Sequence, residues 1–357
     1  MSISPFDHPY LSGLTGDAEA TQWFSVENDI AAMLAFESAL ARAEADEKVI
    51  DYGAAEAIAN ACRTFVPNIA TLKSAVATDG VVVPELIHQL RGTVPPEHRA
   101  FLHFGATSQD VIDTSLMIRL IPVLERLDDG LRAILVELER LEIANGNNGL
   151  MARTRMQSAI PIVVRDRIET WRAPLPRHRQ RLDALKQHFP VVQFGGAAGT
   201  LDKLGGKGPA IRARVAAILG LKDLPQWHNQ RDLIVDFAGQ LSQISGSLGK
   251  IGQDISLMAQ AGDEIALAGG GASSAMPHKQ NPVLAELLVS LARYNATQIS
   301  GMHQSLVHEQ ERSGAAWTLE WMILPSMVTS TVTALRSATT LLRSITGLGE
   351  GANAART

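Results

Sequence analysis

The sequence predicts an all-α protein built round a bundle of long helices. Three observations carry that prediction. Phe237, Leu241, Ile244, Leu248, Ile251, Ile255 and Met258 recur at alternating steps of four and three, the 3.5-residue period of a seam buried between helices. Two more apolar-periodic stretches follow, one opening with Leu284, Leu287, Leu288 and Leu291, the other over 323–348 with an early break at Pro325. No alternation of strand type persists anywhere in the 357 residues.

In chain order, Val26, Ile30, Met33, Leu34 and Ala41 mark a first amphipathic helix. Pro95, Pro96 and Gly105 interrupt the helical pattern, so a first helical domain is expected over 1–104 and a long bundle over 105–345. Thr107 and Ser108 present hydroxyls at a helix start, and Asp110 favours the positive end of that helix. Such an end is a ready carboxylate site. Residues 151–181 hold eight arginines (153, 155, 165, 167, 172, 177, 179 and 181) against Asp166 and Glu169. That local excess attracts a polyanion, although two at most are expected to touch one. The Gly195-Gly196-Ala197-Ala198-Gly199-Thr200 run lacks the preceding strand of a nucleotide loop and reads as a helix break that lines the site. Ser242, Ser245, Gly246, Ser247, Gly249 and Gly252 lie between the seam residues and allow close helix approach. Gly347, Gly349 and Gly351 mark 346–357 as a flexible tail.

Composition sets outer limits. The net charge of −5 argues against a general nucleic-acid binder. No charge-free apolar run reaches the roughly 18 residues of a membrane span, and residues 1–10 lack the basic and apolar regions of a secretory signal. The single cysteine, Cys62, has no internal disulfide partner and reads as a small buried apolar residue, which favours the cytoplasm. The ten histidines show no H-x-x-x-H or H-E-x-x-H spacing, so no metal site is expected. His88, His98, His178 and His188 read as surface residues.

The segment over 271–282 has the chemistry of a mobile catalytic loop. Gly269, Gly270 and Gly271 form a hinge, Ser273 and Ser274 follow, Lys279 brings a cation, and Pro277 and Pro282 stiffen the frame. A serine hydroxyl is a poor acid/base unless nearby positive charge stabilises its alkoxide. The string resembles the signature of the fumarase/aspartase superfamily, G-S-S-x-M-P-x-K-x-N-P, with Ala272 departing at the first position. The resemblance implies that Ser273 is the acid/base, that Lys279 and Asn281 contact a substrate carboxylate, and that Glu286 supports the site. It extends to 103–114, which resembles H-x-G-x-T-S-x-D-x-x-D-T and brings in His103, Thr107 and Ser108 as substrate contacts. It also reaches 152–161, where the lyases read R-T-H-x-Q-x-A-x-P and Gln157 keeps their glutamine. It further implies a fumarase/aspartase-type helical bundle, a small polycarboxylate substrate, no cofactor, and a homotetramer with shared sites. Many members carry a third, C-terminal helical domain for which this chain has no room.

One departure sharpens the expectation. Arg155 stands where the lyases have histidine. A lyase expelling an amine or hydroxide must protonate it, which needs a group titrating near neutrality. Arginine stays charged and cannot do that. A carboxylate nucleophile is already ionised, with a pKa of about 4, and needs only positioning and a counter-charge, which arginine supplies. Arg155 therefore points to the superfamily's cycloisomerase branch and to lactonisation of an unsaturated polyacid, with Arg155, Ser273 and Lys279 as the catalytic set. Residues 308–321 resemble that branch's H-E-x-E-R-x-x-x-x-W-x-x-E-W. Arg312 is a further carboxylate contact there, His308 lies within the motif, and Trp317 and Trp321 share a helix face, with core packing the expected role of Trp321. The alternatives are a fumarate-releasing C–N lyase such as adenylosuccinate lyase, and a non-catalytic protein on the same scaffold.

Overall fold

A computed structural model describes residues 4–271, Met276 and residues 281–352. Two short helices, α1 (Ser12–Thr15) and α2 (Ala18–Trp23), lead into α3 (Val26–Asp46), where the Ser25 hydroxyl accepts from Asn28 N–H at 3.2 Å. Of the predicted face, Ile30, Met33, Leu34 and Ala41 are buried, while Val26 at the first position stays half exposed. Next come α4 (Tyr52–Thr64), capped by Asp51, then α5 (Ile69–Asp79), capped by Asn68 and stopped at left-handed Gly80, and α6 (Val83–Thr93). Pro95 and Pro96 end this run in a 3-10 turn over Pro96–Phe101.

The bundle starts with α7 (Ser108–Asn145), 38 residues long, about 57 Å at 1.5 Å per residue. After it come α8 (Val164–Arg172), α9 (Pro174–Lys186) and α10 (Gly208–Leu219). The other long helices are α11 (Asp232–Ala261), α12 (Val283–Gln304) and α13 (Gly314–Ser344). All seven seam residues of α11 are buried. The small residues between them divide by face. A Cβ on Gly252 would sit 2.5 Å from the Ala285 carbonyl oxygen, and one on Gly249 would collide with Ala292, so these two glycines let α12 close onto α11. Gly246 faces open space instead.

Helix direction follows from contacts at the two ends. Arg231, just before α11, bonds Asp113 near the start of α7 and Glu320 near the start of α13. At the far end Arg140 of α7 donates to the Leu342 carbonyl of α13, and Asn148 donates to the Leu348 carbonyl. Thus α7, α11 and α13 all start at one end of the bundle, and α12 returns between them.

Three expectations need correction. The chain does contain strands: β1 (Gly149–Thr154) pairs antiparallel with β2 (Gln157–Val163), and β3 (Ile265–Leu267) with β4 (Ile345–Leu348). The first hairpin shows no alternation because β2 is exposed along most of its length, so neither face needs apolar residues. Its turn residues Arg155 and Met156, at φ 50° and 68°, lack the Asn-Gly signature of such a turn. Residues 346–348, expected to open a flexible tail, are held by β3. Pro325 does not break α13, which begins earlier, at the Ser313 cap, and runs through it. The cost is the one hydrogen bond that Pro325 cannot donate back to the Trp321 carbonyl.

Candidate active site

The start of α7 is built on Asp110. Its carboxylate is fully buried. One oxygen accepts from Gly195 N–H at 2.9 Å and Gln193 Nε2 at 3.2 Å and meets His228 Nε2 at 2.9 Å. The other accepts from Gly196 N–H at 2.9 Å and Thr107 N–H at 3.0 Å. With its oxygens so fully engaged, Asp110 fastens the 195–200 run onto the helix start. Gly196 is left-handed, at φ 69°, and a Cβ there would lie 2.8 Å from the Gly105 carbonyl, so the two loops touch through glycine.

Ser108 and Gln109 then face a cleft of about 430 Å³ shared with Arg312, Trp317, Trp321 and Asp79. Arg312 is exposed but held: Nε donates to Gln109 Oε1 at 3.0 Å and Nη2 to the Ala197 carbonyl at 3.2 Å. Behind it lies a buried ionic cluster. Arg231 forks onto Asp113 at 2.7 and 3.1 Å and onto Glu320 at 2.8 and 2.5 Å, with its guanidinium 4.7 Å from the Trp227 ring centre. Burial alone would lower the pKa of Arg231, but the two carboxylates outweigh it and hold the charge more firmly than usual. Trp317 is the buried tryptophan, its Nε1 donating to Asp113 Oδ1 at 3.0 Å. Trp321 is half-buried: it packs against the core, as expected, and also lines the cleft. His308 packs beside this cluster, Nε2 lying 3.6 Å from Glu320 Oε1.

His103 sits just before the helix start in a left-handed conformation, φ 62°. Its Nδ1 lies 2.7 Å from Oε1 of the buried Glu37. Burial pulls the ring's pKa down, but Glu37, helped by Asp110 and opposed by Arg91, carries it above the ordinary value.

The remaining predicted residues lie at the other end of the bundle. Arg155 occupies the tip of the β1–β2 hairpin, exposed, with Gln157 just beyond the turn. Arg155 borders a groove of about 730 Å³ formed with Arg153, Arg167 and the last turns of α11. Arg153 is tied to Glu264 at 2.6 Å. Of the eight arginines, Arg165, Arg172 and Arg179 are also paired with acids, while Arg155, Arg167, Arg177 and Arg181 make no ion pair among the described residues. Gly271 and Asn281 exchange two backbone hydrogen bonds, 3.0 and 3.1 Å, and so close the base of the signature loop. Glu286 is exposed in the first turn of α12. Ser273, Ser274 and Lys279 lie outside the described residues.

One chain therefore gathers its candidate residues into two groups. His103, Thr107, Ser108 and Arg312 stand where α7 and α13 begin. Arg155, Gln157, Asn281 and Glu286 stand where α11 ends, and α11, of 30 residues, is about 45 Å long. Gln109, Asp113, Arg231 and Glu320, which hold the first group together, were not among the predicted contacts. Gln109, Asp113 and Glu320 fall inside the 103–114 and 308–321 motifs, which was their signal in the sequence; Arg231 falls in neither. His178, expected at the surface, is buried, with Nε2 2.8 Å from Ser247 Oγ, and burial plus Arg181 and Arg177 push its pKa down to about 4.

The profile of a protein family described as Lyase matches residues 9–301. The chain belongs to this family. It is thus a member of the fumarase/aspartase superfamily, as its signature loop implied. Among curated relatives, this superfamily chain is 38% identical over 331 residues to a 3-carboxy-cis,cis-muconate cycloisomerase of Pseudomonas aeruginosa, covering 90% of this chain and 72% of the relative. It is 36% identical over 331 residues to the enzyme of the same name from Pseudomonas putida, covering 90% and 78%. The crystal structure of the 3-carboxy-cis,cis-muconate lactonizing enzyme from Pseudomonas putida superposes with a TM-score of 0.87 at 33% identity, over 94% of this chain and 76% of that one.

Proposed function

We propose that this protein is a cycloisomerase that lactonises 3-carboxy-cis,cis-muconate to 4-carboxymuconolactone in the protocatechuate branch of aromatic breakdown. The observation that carries the reading is Arg155, a charge-permanent residue at an exposed hairpin tip, free of acid partners among the described residues, where the family's lyases have histidine. The relatives with that activity support it.

The chemistry follows from the residue types. One substrate carboxylate, held by Arg155, adds its oxygen to the diene carbon that lies β to another carboxylate. The displaced electron pair moves into that second carboxylate as an aci-anion, which cationic and N–H contacts stabilise. Arg312, Asn281 and the Thr107/Ser108 helix start are the contacts assigned to it. Ser273 then delivers the proton to carbon, with Lys279 stabilising its alkoxide, and the net change is isomerisation. No leaving group needs a proton, so an arginine at position 155 is sufficient.

The two groups of candidate residues stand too far apart to meet on one substrate. The working form is therefore assigned as an oligomer in which each site combines segments of different copies, a homotetramer as the family resemblance implies. The cytoplasm is the assigned compartment, in keeping with the lone buried Cys62. The deciding experiment offers the purified protein the muconate triacid and adenylosuccinate. Loss of diene absorbance with lactone formation is expected. Fumarate release from adenylosuccinate at an ordinary enzymatic rate, with the diene untouched, would replace this reading with a C–N lyase.

A further inference from the structure

The Glu37–His103 pair lies beside the site; His103 opens the 103–114 motif, whereas Glu37 lies outside every motif of the signature. Glu37 projects from the middle of α3, with its side chain 1% exposed, and His103 belongs to the loop entering α7, with 17%. An ionised carboxylate only accepts hydrogen bonds, so the 2.7 Å contact places a proton on His103 Nδ1. Nε2 makes no hydrogen bond among the described residues, and the ring retains some exposure. The backbone of His103 is held at φ 62°, a conformation that non-glycine residues avoid unless their surroundings enforce it. We propose that Glu37 is a positioning residue, fixing the His103 ring so that an Nε2–H is presented to a substrate carboxylate at the start of α7.

The surrounding charges support this. Behind Glu37, burial, reinforced by the Glu37 charge, pushes Glu44 up to about 9 and Cys62 up to about 12, so both are neutral near pH 7. Glu37 is then the negative charge on that side of the ring. From α7 Asp110 adds to its pull, and from α6 Arg91 opposes it. The net effect favours the charged ring more than in an ordinary histidine. A protonated ring donates from both nitrogens, one to Glu37 and one to the substrate. The contribution is fully present at low pH and is lost as pH rises through the raised pKa.

The inference rests on the polycarboxylate reading of the site, and its tests separate the two. In the full-length wild-type protein, the His103 ring followed by NMR is expected to titrate above about 6.5. A midpoint at or below that value overturns the proposal, with no variant required to fold. Tricarballylate, a plain polycarboxylate, is expected to shift the Nε2 resonance of His103; an unmoved resonance at saturation also overturns it. In Glu37→Gln the midpoint is expected to fall, because the carboxylate that raises it is gone. On the muconate triacid, that variant is expected to raise KM roughly tenfold while kcat changes less than about threefold, with the alkaline limb of kcat/KM moving to lower pH. Glu37→Asp is expected to recover part of both effects. A lowered midpoint with an unmoved alkaline limb refutes the substrate contact. A wild-type protein inert on the triacid refutes the cycloisomerase reading, and the two NMR measurements then decide the role of Glu37 alone.

Discussion

Arg312→Ala and Arg155→Ala, each expected to be inactive alone, are expected to restore each other in mixed oligomers. Arg312 is bonded to Gln109 in the first turn of α7, and Arg155 lies beside the last turns of α11. The 38 residues of α7 rise about 57 Å, and the 30 of α11 about 45 Å. No side chain spans such a gap, so a site using both residues must take them from different copies. When the two variants are mixed equally, half of all sites take an intact Arg312 and, independently, half take an intact Arg155. About one site in four is then complete, and recovered activity should approach a quarter of wild type. The assay is diene loss after co-refolding, with native mass spectrometry confirming mixed oligomers and each variant alone assayed as an inactive control. Mixed oligomers with activity near zero would show that one chain supplies both residues, and the argument from helix length would fail.

Three further outcomes follow from packing and charge. Arg231→Met leaves Asp113 and Glu320 buried without their cation and is expected to cost roughly 3–5 kcal/mol in chemical denaturation; a loss under about 1 kcal/mol would mean that the cluster is not a buried ionic unit. Gly252→Ala places a Cβ 2.5 Å from the Ala285 carbonyl, so α12 must shift, at an expected cost of about 1–3 kcal/mol; an unchanged melting temperature contradicts the close approach. His178 has its folded pKa pushed down to about 4, so the unfolded chain binds the extra proton first and stability should fall as pH drops from about 6.5 towards 4, by at most on the order of 3 kcal/mol. His178→Gln should flatten that acid slope, and an equal slope in both proteins would assign it to other groups.

The long helices were legible because their seams must stay apolar over many turns, and α11 carries seven buried residues at the expected period. The start of α7 was legible because caps are local chemistry, readable from Thr107 and Asp110 alone. The hairpin that carries Arg155 was not. It buries little of β2, so nothing in its composition had to alternate, and an Arg-Met turn carries none of the usual glycine signal. The different burial of Trp317 and Trp321 depends on which ring meets Asp113, a partner 204 positions away. His178 has arginine neighbours in the sequence, and its burial, with Ser247 of another helix as its partner, is a tertiary fact. The gathering of Gln109, Asp113, Arg231 and Glu320 into one cluster is likewise a matter of tertiary distance. Each of these polar residues, taken alone, looks like part of a solvated face.

The Asp113–Arg231–Glu320 cluster also settles a question that apolar seams leave open. A seam that repeats every seven residues looks nearly the same after a slide of one heptad, about 10 Å along the axis. Leucine and isoleucine would find equivalent hollows at either setting. A guanidinium forked onto two carboxylates has no second setting, because sliding α11 past α7 or α13 would strand all three charges in the interior. The cluster is therefore the zero mark from which three parallel helices are measured. It lies directly beneath Gln109 and Arg312, so longitudinal error in the bundle is smallest at the end where a carboxylate must be met.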